Sequence, residues 1–297
     1  MRLLFAGLVT VDLVQRVQRF PGADEKVQSE SVDVAAGGPA ANAAVTAAAL
    51  GATVTLVSAV GSHPLGDLVR ADLAAHGVTL IDATPDSPEP PPVSAVTVLA
   101  STGERTIVSR NAGNRQVAPV SLPEADLTLV DGHHPALAVA AARSARRLLV
   151  DAGSWRPVFA EVFPHAEVVA CSGDFRHPDA TDRTDAATAA AIGAPTVVIT
   201  HGPEPVRWFS RAAAGETPAP RDAAGETSVP RVAAGESPVP RVAAVDTAGA
   251  GDAFHGALAV ALARGDLILP DAVAYACRIA AVRVRHAGPR AWLAHLP

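Results

Sequence analysis

Lysine is almost missing from this chain: of its 24 lysines and arginines only Lys26 is a lysine, and the arginines are scattered. With no basic patch and a formal net charge of -6, the chain has no electrostatic footprint for nucleic acid. Cysteine is equally scarce. Cys171 and Cys277 are the only two, far apart in sequence, so no disulfide framework is present, and a reducing, cytoplasmic setting is the simpler expectation. No apolar run approaches the ~20 residues needed to cross a bilayer, and no membrane partner is expected. The apolar start is short, is interrupted by Asp12, and precedes no small-residue cleavage site. It therefore reads as a buried first strand and not as a secretory signal. A Gly-x-Gly-x-x-Gly after that strand is also lacking, which sets aside a dinucleotide-binding dehydrogenase.

What is present is enough for a sizeable core: 49% of the 297 residues are apolar and 18% are charged. One domain over residues 1–297 is the default for an α/β chain of this length. Compact apolar runs at 3–7, 54–58, 127–130, 147–150, 167–170 and 196–199 read as strands. Helical stretches at 40–50, 65–76 and 135–145 alternate with them, and two more, 251–263 and 270–286, follow. This alternation predicts an α/β fold, doubly wound, with a mainly parallel sheet and helices on both faces.

Two segments break the rhythm, 10–34 and 93–108. The second alternates apolar and polar residues on either side of Thr102-Gly103, as a hairpin would, and the proline-rich stretch 85–92 leads into it as a stiff connector. Both segments are expected to form strands outside the main sheet. From 211 to 241 an arginine recurs every ten residues, and Gly215, Gly225 and Gly235 mark three copies of one unit. A repeat this short, rich in Ala, Gly and Pro, has no apolar face to bury, so an exposed insertion is expected there.

The densest chemical signal is Asp246-Thr247-Ala248-Gly249-Ala250-Gly251-Asp252, after a strand-like run at 242–245 and directly before a helical run. Small residues at a helix N-terminus let the backbone N–H groups of Gly249, Ala250 and Gly251 approach an anion at the positive end of the helix dipole. Asp252, in the first turn, would then stand beside a transferring phosphoryl group and accept a proton from an attacking hydroxyl. A lone Gly-x-Gly-Asp would be no more than a helix start with a dipole-favoured acid. The full string resembles the Asp-Thr-x-Gly-Ala-Gly-Asp signature of the ribokinase-like, or PfkB, carbohydrate kinases. Gly37-Gly38-Pro39-Ala40-Ala41-Asn42 resembles the same family's N-terminal motif.

The resemblance implies a ribokinase-like fold in which 10–34 and 93–108 form a small β-sheet lid over a sugar-like substrate. It also implies ATP as donor and Asp252 as general base. Asp12, Gly38 and Asn42 would hold the acceptor, and Arg105 in the lid turn would reach the nucleotide. Thr200-His201-Gly202-Pro203-Glu204-Pro205 resembles the nucleotide loop, with Thr200 and Gly202 as contacts, although Pro205 stands where a last glycine is expected. Mg²⁺ is implied by the chemistry. The glutamate that usually follows the preceding strand is absent, and Asp174 in Ser172-Gly173-Asp174 would act through water.

Asp131, at the end of a predicted strand, either shapes the substrate pocket, as strand ends do in open α/β sheets, or caps the next loop. Asp131-Gly132-His133-His134 and the scattered His63, His76 and His165 lack the spacing of a zinc site. Within the resemblance a nucleoside or other small-molecule kinase stays open, as does a sugar-binding regulator that has lost turnover. The lid's apolar alternation, Val96 and Val98 in particular, calls for a covering surface, and a homodimer through the lid would supply it.

Overall fold

The computed structural model describes residues 1–113, 115, 117–211 and 232–297. Among the described residues nine strands make the main sheet and four a separate small one. The chain runs β1 (Arg2–Ala6), β2 (Thr10–Val17), β3 (Ser31–Gly37), α1 (Pro39–Ala49), β4 (Thr53–Ser58), α2 (Pro64–Ala75), β5 (Val78–Asp82), β6 (Val93–Leu99) and β7 (Arg105–Ser109). It continues with β8 (Leu127–Val130), α3 (Pro135–Ser144), β9 (Leu148–Ala152), α4 (Phe159–Val162), β10 (Val168–Ser172), α5 (Asp185–Ile192) and β11 (Thr196–His201). Then come β12 (Glu204–Arg211), β13 (Val232–Ser237), α6 (Ala250–Arg264) and α7 (Leu269–Val284), followed by a short 3-10 helix at Ala291–His295.

Sheet order is β13-β12-β11-β10-β9-β8-β1-β4-β5. From β5 to β11 every pairing is parallel, and β12 and β13 are added antiparallel at one edge. Parallel strands covered on both faces need apolar side chains on both, which is why Leu3, Leu4, Phe5 and Ala6 are all buried. Leu3 and Phe5 enter the core under α1, α2, α6 and α7. Leu4 and Ala6 enter the core on the α3, α4 and α5 side. The architecture is the doubly wound α/β fold expected.

The strand order reverses at β1. From β1 the chain builds outward through β4 to β5, and later returns on the other side of β1 through β8 to β11. In open sheets the crevice at such a reversal, beyond the carboxyl ends of the strands, is where ligands bind. Here β1 ends at Ala6 and the chain leaves the sheet at once to form β2.

The two off-rhythm segments pair with one another in the order β3-β2-β6-β7. The sheet has two distinct faces. Asp12, Val14, Ser94 and Val96 turn toward the body and line a cavity. Val34, Leu13, Ala95 and Val108 sit opposite one another across the four strands and form an outward apolar row, with Val34 and Val108 exposed. Val96 and Val98 are buried, with Val14, on the inner face, so the body of the same chain covers them and they need no second subunit. The residues left uncovered are those of the outward row.

Three further expectations change. Residues 242–245 do not join a sheet. Val245 N and Asp246 N both donate to Val284 O, at 2.7 and 3.1 Å, so the end of α7 supplies the partner a strand would have had. The repeat is not insertion throughout: Val232–Ser237, the third copy, is edge strand β13, paired with β12 from Val206↔Ser237 to Arg211↔Val232. Alternation supplied by Ala233, Gly235 and Ser237 suffices at an edge, where one flank needs no partner. The rest of the first two copies, with the arginine that opens the third, 212–231, lies outside the described residues. Finally, the segment with Thr200 and Gly202 is a tight hairpin in which His201 pairs with Glu204. Gly202 has φ +62° and Pro203 follows with its fixed negative φ, the combination that suits a two-residue hairpin turn.

The lid hairpin tip rests on the body. Gly103 has φ +71°, and a Cβ there would lie 2.7 Å from Val245 O, so only glycine permits the approach. Gly103→Ala should keep the fold and lift the tip. The expected result is a loss of about 1–2 kcal/mol in stability with faster amide exchange confined to β6, β7 and residues 245–249. Unchanged exchange there would mean that the tip contact does not hold the lid.

Candidate active site

Gly249, with φ +68°, is the residue from which α6 starts. The first helical residues have no intrahelical partners for their N–H groups. The Ala250 N–H bends back to Thr247 O at a long 3.4 Å, whereas those of Gly249, Gly251 and Asp252 have no partner among the described residues. Gly249 lines the cavity, and a Cβ on Gly251 would meet nothing within 4 Å. The head of α6 is thus an open set of donors at the positive end of a fifteen-residue helix. Beneath it Asp246, 1% exposed, accepts from Ala248 N at 3.0 Å and Gly288 N at 3.1 Å and faces Arg283 at 3.4 Å. The opening aspartate of the motif therefore shapes the loop and is not free to take a ligand.

Asp252 projects from this first turn into a cavity of about 270 Å³ between the lid and the body, a volume suited to a small molecule. Asn42, in the first half of α1, donates its Nδ2–H to Asp252 Oδ2 at 2.8 Å. Enclosure by protein, ahead of the negative charge of Asp151, raises the Asp252 carboxyl to about 6; the Asn42 hydrogen bond and His255 pull the other way. Such a carboxylate is a better base than an ordinary one and is still ionised at neutral pH.

Of the residues read from sequence, the structure brings Asp12, Gly38, Asn42, Arg105, Gly249 and Asp252 together around this one cavity. Asp12 reaches it from β2, and burial, partly offset by the hydroxyls of Thr10 and Ser94, raises its carboxyl too. Arg105 comes from the lid and donates to Thr247 Oγ1 at 2.7 Å, bridging lid and α6 loop. Gly38, with φ +93°, is also required by packing: a Cβ there would fall 2.5 Å from Leu8 O.

Asp131 does not line the cavity. Its Oδ2 accepts from Leu8 N at 2.7 Å and its Oδ1 from His133 N at 3.0 Å, and Gly7 leaves no room for a side chain beside it. This buried carboxylate fixes the turn by which the chain leaves β1 for the lid. Thr200, Gly202 and Asp174 also lie outside the cavity, at the carboxyl ends of β11 and β10, on the same edge of the parallel sheet. Thr200 Oγ1 donates to Cys171 O at 3.5 Å. Asp174 is exposed, and no cluster of three His, Cys, Asp or Glu side chains able to hold a metal occurs among the described residues. His63 caps α2 by accepting from Leu65 N at 3.1 Å.

Sequence reading missed four polar groups. Asp151, at the end of β9, and His255, one turn beyond Asp252, form a buried pair at 3.0 Å, though off the hydrogen-bonding direction. Burial alone would hold His255 neutral, and the Asp151 carboxylate outweighs it, raising the imidazole's pKa. An aspartate ending the apolar run Leu148-Leu149-Val150 was the available signal. Arg283 and Arg290 line the cavity from the C-terminal segment, where no local pattern marks them.

The family model described as pfkB family carbohydrate kinase matches residues 2–295. The ribokinase of Bacillus subtilis (strain 168) is 28% identical over 293 residues, covering 94% of this chain and 91% of that protein. Among solved structures, Arabidopsis thaliana ribokinase complexed with ribose and ATP superposes with a TM-score of 0.74 at 20% identity, over 96% of this chain and 93% of that one. Ribokinase from Cryptococcus neoformans var. grubii serotype A in complex with ADP gives 0.69 at 20% identity, over 99% of each. At such identities the structural likeness is one of fold.

The half-buried carboxylate costs stability. Because the folded-state pKa of Asp252 lies above its unfolded value, ionisation opposes folding, and this penalty is complete above about pH 6 and gone below about pH 4. Asp252→Asn should therefore stabilise the protein at pH 7.5, by on the order of 1–3 kcal/mol, with the gain shrinking toward zero at pH 4. Thermal unfolding at both pH values checks this. An equal gain at both would show that charge burial is not its source.

Proposed function

Because the chain belongs to the pfkB family of carbohydrate kinases, phosphotransferases with an alcohol acceptor, we propose that it moves the γ-phosphoryl group of ATP to a hydroxyl of a sugar or sugar derivative held under the lid, with Asp252 as general base. The observation that carries this reading is the junction at the head of α6. One raised-pKa carboxylate faces a small cavity between lid and body, and N–H groups without a partner among the described residues adjoin it on the same turn.

In this mechanism Asp12 and the second N–H of the Asn42 amide hold acceptor hydroxyls. Asp252 takes the proton of the attacking hydroxyl as its oxygen bonds to the γ-phosphorus and the bond to ADP breaks. The N–H groups of Gly249 and Gly251, with Ala250 contributing less, stabilise the charge on the transferring group. Arg105 closes over the phosphates from the lid. Thr200 and Gly202 contact the nucleotide from the neighbouring strand end. The relatives bound to ATP and to ADP support this donor. Mg²⁺, which offsets phosphate charge, fits a site with few protein carboxylates because it keeps most of its waters, and Asp174 would hold it through one of them.

The outward apolar row of the lid suits a second copy of the chain, giving a homodimer in which each lid covers the other. No helix among the described residues is long and apolar enough to cross a membrane, and the two buried free thiols agree with a cytoplasmic enzyme.

The direct test is ADP release from Mg-ATP across a panel of sugars, sugar derivatives and nucleosides. The native chain should turn over with a sugar-like acceptor, and Asp252→Asn should lower kcat by about 10³-fold or more. Turnover that survives the substitution removes Asp252 as base, and preference for a nucleoside moves the enzyme to another substrate class. In the native chain kcat/KM should fall tenfold per pH unit below about 6, as Asp252 gains its proton. Val108→Asp, outside the cavity, should shift the mass in solution from dimer to monomer. A native chain that is already monomeric at micromolar concentration would end the dimer proposal.

A further inference from the structure

Arg290 lines the cavity, yet it has nothing left to offer a ligand. A guanidinium has five N–H donors, and all five are committed. Nε and one N–H of NH2 go to Asp72 Oδ2, at 3.2 and 2.8 Å. The other N–H of NH2 goes to Ala36 O. NH1 donates to Asn42 Oδ1 at 3.2 Å and to Pro289 O at 3.3 Å. Arg290 and Asp72 are both mostly buried, with side chains 15% and 16% exposed.

Two consequences follow from these partners. An amide oxygen and an amide nitrogen are alike in shape, and only their surroundings decide which way the group faces. Because Arg290 donates to Asn42 Oδ1, the Asn42 Nδ2–H must face the other way, toward Asp252 Oδ2. The reversed amide would set its oxygen against that carboxylate. Second, the Arg290 and Asp72 pair grips both backbone groups of Ala36: the carbonyl accepts from Arg290 and the N–H donates to Asp72 Oδ2 at 3.2 Å. Ala36 is in lid strand β3, immediately before Gly37-Gly38, where the chain passes from the lid into α1.

Resting on the kinase reading above, we infer that Arg290 is a positioning residue that clamps the lid hinge at Ala36 and, through the Asn42 amide, sets the catalytic carboxylate of Asp252. The route runs from the lid strand through Arg290 to Asn42 and Asp252, and every step is a hydrogen bond. A lid displaced at its hinge draws the guanidinium with it and releases the amide, so the base is fully set only when the lid is seated. The planar fork matters and charge alone does not suffice, because a lysine ammonium has three donors and no fixed plane with which to reach four groups at once.

The test uses the full chain and the acceptor found in the panel. Arg290→Lys, which keeps the charge, and Arg290→Gln should each lower kcat by about 100-fold, the usual effect of a misplaced reacting group, with KM for ATP unchanged within about twofold. In an Asn42→Ala background, adding Arg290→Gln should lower kcat by less than about threefold, since the two act through one contact. Native kcat in Arg290→Lys, or full multiplication of the two losses in the double variant, overturns the inference. Should the Arg290 variants unfold at assay temperature, Asp72→Asn loosens the same clamp from α2, and its kcat should fall by about tenfold; an unchanged value is equally fatal. Amide exchange supplies a second readout. Arg290→Lys should speed exchange across Ser31–Gly37 by about tenfold or more, and no change there refutes the hinge clamp. A native chain with no turnover on any acceptor would sink the kinase reading alone, and the exchange result would still decide whether the clamp exists.

Discussion

A carboxylate half-buried at the head of a helix is the constraint around which this structure is arranged. Asp252 accepts a hydrogen bond from Asn42, and that bond joins the first turn of α6 to α1 across 210 residues. The small residues that lead into both helices allow this closeness. In the packed face between them, a Cβ on Gly256 would fall 2.4 Å from Ala43 O, so α6 and α1 meet backbone to backbone at this point. Close helices hold the carboxylate still, and enclosure by the same packing makes it basic. Positional accuracy and the raised pKa thus have one origin, and both are obtained at some loss of folding stability.

How much of this was legible in the sequence depended on how local each signal was. The parallel sheet could be read because strands covered on both faces must be apolar throughout, as in Leu3-Leu4-Phe5-Ala6. The turn at the head of α6 could be read because its glycines and its acid lie within seven residues. Asp12, Asn42 and Arg105 were found through the family resemblance, and the structure sets all three around one cavity. What failed was nonlocal or ambiguous. Residues 242–245 have strand-like composition, and their hydrogen-bond partner is a helix end, which composition cannot foretell. Val96 and Val98 alternate as an inward face would and as an outward face would, and only the register with β2 decides. Arg290 and Asp72 are 218 residues apart and belong to no motif.

Asp131 carries a lesson of its own. It stands at a strand end, beside the reversal of strand order, where a ligand group is commonly found. Both of its oxygens are instead taken by backbone N–H groups of the turns that follow β1 and β8. The place in the fold was read correctly, but the availability of the side chain could not be, because hydrogen-bond saturation is a property of the neighbours. Arg290 repeats the pattern: it touches the cavity with every donor spent. Proximity to a site and participation in its chemistry are separated by counting lone pairs and protons.

The edge hairpin formed by β12 and β13 has a practical corollary. Arg211 and Val232 are register partners in the sheet, on the two strands farthest, in strand order, from β1, and the first two copies of the ten-residue repeat connect them in sequence. Twenty residues therefore separate two backbone positions that already lie side by side, so the count between them is free of any geometric demand from the enzyme's core. Such a junction can gain or lose repeat units by replication slippage without a frameshift in structure, and it offers a natural graft point for a reporter or affinity tag in a working kinase.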